Sequence, residues 1–128
     1  MRLYSVAVAS LTIRAATKWT DNLLSQYEIP EVIHQDRGRA RGLSWNALVR
    51  IGLIRVLSED LGCGVRESVA LAAGLLEGTG SVEVVAFLGI HFNRSALEAM
   101  LRARLADVLE PAPRPRRGRP PKRAGSGG

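Results

Sequence analysis

Residues 37–62 read RGRARGLSWNALVRIGLIRVLSEDLG, and the fold turns on how this run is divided. Arg37, Arg39 and Arg41 alternate with Gly38, Ala40 and Gly42. In an extended arm that spacing sets three guanidinium groups on one side. With no carboxylate inside the arm, they suit phosphate contact; a solvated surface loop is the competing reading. At Ser44 the pattern changes. Ser44 is placed to cap a helix over Trp45–Leu61, and Gly62 stands at its C-terminal stop. Leu48, Ile51, Ile54, Leu57 and Leu61 form its inner stripe, widened by Val49, Leu53 and Val56.

Upstream, Ser5 can cap a short helix to about Leu11, with Val6, Ala9 and Leu11 inward. A break at Thr12–Arg14 precedes a second helix, Ala15 to Gln26, striped by Ala16, Trp19, Leu23 and Leu24. Its outer face carries Arg14, Thr17, Lys18, Asp21, Asn22 and Gln26. Two short helices joined tightly, the second polar outside, have the pattern of a helix-turn-helix. Pro30 ends the helical run. Glu31–His34 then reads as a strand, Asp36–Gly38 as a turn and Arg39–Leu43 as the returning strand. Such a hairpin directly after a helix-turn-helix is a wing.

Downstream, Gly64 opens a helix through Leu76, with Val65, Val69, Ala72, Leu75 and Leu76 apolar, and Gly78-Thr79-Gly80 closes it. From Val82 to Phe92 every second residue is apolar, which predicts a strand. Val85 and Phe87 are apolar on the other face as well. Asn93 or Ser95 caps a last helix to about Leu109, with Ser95 and Glu98 spaced as a capping box. Leu97, Met100, Leu101, Leu105 and Val108 line one face of it. A lone strand has unpaired edges, so Val82–Leu109 is expected to pair with a second copy as a homodimer; pairing inside one chain is the alternative.

The charge is unevenly distributed. The 128 residues carry 18 Lys+Arg against 12 Asp+Glu, a net charge of +6. Arg114, Arg116, Arg117, Arg119, Lys122 and Arg123 lie beyond Pro111 with no acidic residue. Removing those six leaves twelve basic residues against twelve acidic, so residues 1–110 are formally neutral. A neutral body with a basic arm points to a polyanion, most simply double-stranded DNA. The arm lacks any core-forming side chain and is expected to be disordered in isolation. RNA fits less well, because the arm has no aromatic stacking residues.

At this point residues 5–77 are seen to resemble the N-terminal DNA-binding domain of the MerR family. The matching segments are Arg41-Gly42-Leu43-Ser44, the LVRIGLIRVL run at 48–57 and the LGCGV run at 61–65. Arg41 stands where the family closes its wing with an arginine, and Leu43 where an aromatic is usual. Thr17-Lys18-Trp19-Thr20-Asp21 replaces the family's threonine-leucine-arginine-aromatic-aromatic run. The resemblance implies a winged helix-turn-helix regulator of transcription, with its recognition helix in the major groove. In the tail, Arg117-Gly118-Arg119-Pro120 resembles an AT-hook. Glycine lets such a backbone reach the floor of a narrow minor groove while the arginines lie along it. A nonspecific phosphate-binding or solubilising tail is the plainer reading.

Other classes find less support. Cys63 is the sole cysteine, so neither a disulfide within the chain nor a cysteine metal cage can form. It reads as a small core residue before it reads as a thiol sensor. His34 and His91 fall in separate predicted strands, and no cofactor or metal set is visible. No serine, histidine and acid stand at a recognisable spacing and no phosphate-cradling glycine loop occurs, so an enzyme is not expected. No apolar run approaches a membrane span. The opening MRLYSVAVASLTIRAA is interrupted by Thr12 and Arg14 and is expected to belong to the mature, cytoplasmic, nucleoid-associated protein.

The sequence therefore predicts a mainly α fold with small β. A winged helix-turn-helix spans 1–80, a strand and helix that dimerise span 81–110, and a disordered basic tail spans 111–128. The expected DNA contacts are Arg14, Thr17, Lys18 and Asn22 in the major groove, and Arg37, Arg39 and Arg41 on the wing. Arg117, Gly118, Arg119 and Pro120 are expected in the minor groove. An architectural or phage-derived accessory DNA-binding protein is one alternative; a protein-interaction module such as an antitoxin or adaptor is another.

Overall fold

A computed structural model describes residues 2–34 and 41–110. The fold is mainly helical with small antiparallel sheets. In order it runs β1 (Tyr4–Ser5), α1 (Val6–Ile13), α2 (Thr17–Gln26), β2 (Val32–Ile33), β3 (Gly42–Leu43) and α3 (Trp45–Arg55). A π-helical turn, Val56–Asp60, extends α3; then come α4 (Val65–Glu77), β4 (Ser81–Val85), β5 (Leu88–His91) and α5 (Arg94–Leu109).

α1 starts where the sequence predicts: the Ser5 hydroxyl accepts the Val8 N–H at 3.1 Å. It runs on past Leu11, however, and Leu11 faces solvent with 63% of its surface exposed. Thr12 turns inward instead, its hydroxyl satisfied by the Val8 carbonyl at 2.8 Å. The helix ends at Arg14, whose φ of 59° and ψ of 49° are left-handed. Ala16 becomes the exposed N-cap of α2 rather than part of its buried stripe. The missing inward position is Thr20, fully buried, which accepts a 2.7 Å hydrogen bond from Ser10. A buried hydroxyl pair joins the two helices because each satisfies the other.

β2 and β3 pair antiparallel as expected, with Val32 opposite Leu43 and Ile33 opposite Gly42. The ladder is shorter than the sequence suggests. Glu31 lies outside β2 with φ 65°, and its carboxylate accepts from the Ser44 hydroxyl at 2.8 Å and from Asn46 at 3.2 Å. Those bonds, Ser44's first, hold Glu31 below the usual carboxylate range. The sequence pattern gives no sign of a third strand, yet β1 pairs with β3, giving the order β1-β3-β2. Residues 35–40, and with them the expected turn and the start of the returning strand, lie outside the described residues.

Ser44 caps α3 by accepting the Ala47 N–H at 3.1 Å. Leu48, Val49, Ile51, Leu53, Ile54 and Leu57 are buried as the stripe requires. Leu61 is not: it is 61% exposed. The π-helical turn carries an extra residue and rotates Leu61 out of the stripe, before Gly62 stops the helix at φ +74°. Leu43, Leu75 and Leu101 complete a core shared by β3, α3, α4 and α5.

The largest correction is at 81–92. The alternating run is two strands, β4 and β5, folded back at Ala86-Phe87 and paired Val82 to Ile90 and Val85 to Leu88, with a bulge between Glu83 and Val85. The strand finds its partner within the chain, so an unpaired strand gives no reason for a homodimer. Alternation alone cannot reveal a two-residue turn that has no Asn-Gly or Asp-Gly pair. Asn93 caps α5, accepting the Ala96 N–H at 3.0 Å, and no Ser95–Glu98 capping box forms. Glu98 instead accepts from Arg94 at 2.7 Å, from Arg102 at 3.1 Å and from the Trp45 indole at 3.2 Å. The Arg94 bond leads in holding its pKa below the ordinary 4.5. Arg102 also stacks over Trp45 at 4.4 Å, which fastens α5 to the start of α3.

Candidate nucleic-acid interface

α2 is held by Thr20, Leu23 and Leu24, which are buried against the rest of the fold. The helical period then dictates what is left outside: Lys18, Asp21, Asn22, Ser25 and Gln26 are all exposed. Thr17 and Lys18 occupy the first turn, also exposed. No side chain caps that turn and no acidic residue lies in it, so its open N–H groups and its positive dipole end favour an anion.

The β2–β3 hairpin stands beside this helix, and Arg41 is the link. Its guanidinium donates to the Ser25 hydroxyl at 3.0 Å, and at 3.4–3.5 Å to the Asp21 carbonyl and carboxylate. Arg41 is half-buried. Residues 20 and 16 positions apart in sequence meet here, which no local pattern could disclose. The arginine read as free for phosphate is thus tied to α2, and it offsets the charge of Asp21. Lys18 remains a cation of this face without a partner among the described residues.

Arg14 lies at the connection between α1 and α2, with its side chain exposed. Its carbonyl accepts from Arg55 at 3.0 Å, and Arg55 in turn stacks over Trp19 at 4.9 Å. This brace ties the α1–α2 connection and Trp19 of α2 to the end of α3. Asn22 borders a shallow cleft with Trp19, Gln26, Tyr27 and Val65. Thr17, Lys18, Asn22 and Arg41 therefore share one surface, whereas Arg14 lies among the residues lining a separate cleft with Arg55 and Arg104. Arg37 and Arg39 on the arm, and Arg117, Gly118, Arg119 and Pro120 in the tail, lie outside the described residues. Asp21 and Ser25, which anchor Arg41, are the residues that sequence reasoning misses.

Among the described residues no cluster of three or more His, Cys, Asp or Glu side chains could hold a metal ion. His34 is exposed beyond β2, while His91 on β5 lies 3.1 Å from the Ser81 hydroxyl. Cys63 is half-buried. No helix among the described residues is long and apolar enough to cross a membrane. Comparison with protein-family models, with curated proteins and with solved structures found no match to the chain.

Proposed function

We propose that the protein is a sequence-specific DNA-binding regulator of transcription, of winged helix-turn-helix type, acting as a homodimer in the cytoplasm on the nucleoid. α2 is the recognition helix, presenting Thr17, Lys18 and Asn22 to the major groove with Arg14 beside it. Arg37 and Arg39 of the arm serve the flanking backbone, Arg41 fastens that arm to α2, and the Arg117–Pro120 segment serves the minor groove. The observation that carries this reading is the exposed, uncapped start of α2 next to a hairpin that Arg41 fastens to it. That arrangement suits a helix presented in a groove and an arm laid along the adjoining phosphates. The β4–β5 hairpin supports the second copy: Val84, Val85, Phe87 and Leu88 are 44–90% exposed, and Phe87 most of all.

Binding-site selection from random duplex DNA, followed by titration at several salt concentrations, tests this. A palindromic site and two chains per duplex by sedimentation are expected. Each phosphate contact contributes about −0.9 to the slope of log K against log salt, so Lys18→Ala should flatten the slope by about 1. Removing residues 111–128 should flatten it by up to about 5, one contribution for each of the six lost cations. Enrichment of no sequence would favour an architectural role. Absence of any complex at low salt would favour a protein-interaction module docking through the exposed hairpin.

A further inference from the structure

On the side of the fold where α1, the end of α3 and α5 meet, there is a cleft of about 390 Å³. That volume lies within the range of small-molecule pockets and corresponds to about a dozen waters. One wall is apolar, its accessible part the half-buried Val56 and Met100 over the buried Ile13, Gly52 and Leu101. A side chain at Gly52 would meet Leu101 at 3.1 Å, so glycine is what lets α3 and α5 approach this closely. The other wall holds Arg14, Arg55 and Arg104 together with Glu59 and Asp60 of the π-helical turn. Such insertions in helices are frequent at binding sites.

The arginines are not equally engaged. Arg55 is used up by the Arg14 carbonyl, by the Trp19 ring and by Glu59 at 3.5 Å. Arg104 is half-buried, and its sole hydrogen bond among the described residues is a long one, 3.5 Å to the Thr12 carbonyl. Burial and the nearby charge of Arg14 both disfavour its cationic form, while Asp60 favours it. Arg14 has no side-chain partner among the described residues. Arg14, exposed, and Arg104, half-buried, therefore border one cleft with most of their donors unspent among the described residues. After Glu59 and Asp60 are set against the three arginines, one positive charge remains.

We propose that this cleft binds a small organic anion, an apolar body carrying a single carboxylate or phosphate head, with the head held between Arg14 and Arg104 and the body on Val56 and Met100. The planar donor fork of arginine matches either head in a bidentate manner. This goes beyond the DNA reading, and its test uses no DNA. The full chain, labelled with 15N, is titrated at constant ionic strength with benzoate and with phenyl phosphate, using benzyl alcohol as the neutral control. Saturable shifts of the Arg14, Gly52, Asp60, Leu101 and Arg104 amides are expected with at least one anion and not with the alcohol. Arg104→Gln should weaken that binding tenfold or more. Arg14→Asn, which tolerates the left-handed backbone, should do the same, and it keeps the test open if the Arg104 variant fails to fold. No saturable shift with either anion, equal binding of the alcohol, shifts confined to residues 111–128, or affinity unchanged in both folded variants would each overturn the assignment.

Discussion

Leu101→Ala asks whether α5 belongs to the same core as the helices before it. Leu101 is fully buried and packs over Gly52 of α3, within a cluster that also holds Ile13, Ile54 and Leu105. The substitution removes three carbons, worth roughly 0.8 kcal/mol each, or about 2.4 kcal/mol of transfer free energy. A cavity contribution adds to this, because a wall made of two helices and a backbone relaxes only in part, and the total comes to about 3–4 kcal/mol. That is a large share of the roughly 5–15 kcal/mol that holds a domain folded. Urea unfolding followed by circular dichroism measures it. With a slope near 2 kcal/mol/M the midpoint should fall by about 1.5–2 M while the slope stays the same. A loss below about 0.5 kcal/mol, or an early separate transition confined to 81–110, would refute the shared core.

Two further outcomes rest on the polar contacts. Ser44→Ala removes the cap of α3 and the strongest hydrogen bond to Glu31. It should cost about 1–2 kcal/mol in the same unfolding assay, and the Glu31 titration, followed by NMR, should move up toward the ordinary carboxylate value. Glu98, held below its ordinary 4.5 chiefly by Arg94, binds its proton less readily in the folded than in the unfolded protein. Its stabilisation is therefore complete above that ordinary value and fades as pH drops through the depressed one. Glu98→Gln should flatten the acid side of the stability–pH curve; an unchanged curve would mean the Arg94, Arg102 and Trp45 contacts contribute nothing.

Much of the fold is legible in local chemistry. Ser5, Ser44 and Asn93 mark helix starts because a short polar side chain can accept an N–H three residues on. The stripe from Leu48 to Leu57 marks a buried helix because its period matches the helical turn. Leu11 and Leu61 depart from their expected places for a common reason. Hydropathy says that a leucine prefers the core, but not whether the backbone delivers it there. α1 buries Thr12 in place of Leu11, and the π-helical turn carries Leu61 outward.

Of the candidate site, the residue types are readable from the chain and their relations are not. Thr17, Lys18 and Asn22 belong to the outer face of α2 by period alone, once Leu23 and Leu24 are taken as core. Arg41 holding Asp21 and Ser25, Ser10 paired with Thr20, and Arg14 and Arg104 brought to one cleft all join residues ten to ninety positions apart. The return of β5 onto β4 joins residues only three to ten positions apart, through a turn that alternation does not mark. The sequence by itself determined the helices, the Ser5 and Ser44 caps and the segregation of positive charge beyond Pro111, because these depend on neighbours within a few residues. Tertiary structure alone decided which side chains meet, because closing a chain on itself pairs groups by shape and burial, and those have no local spelling.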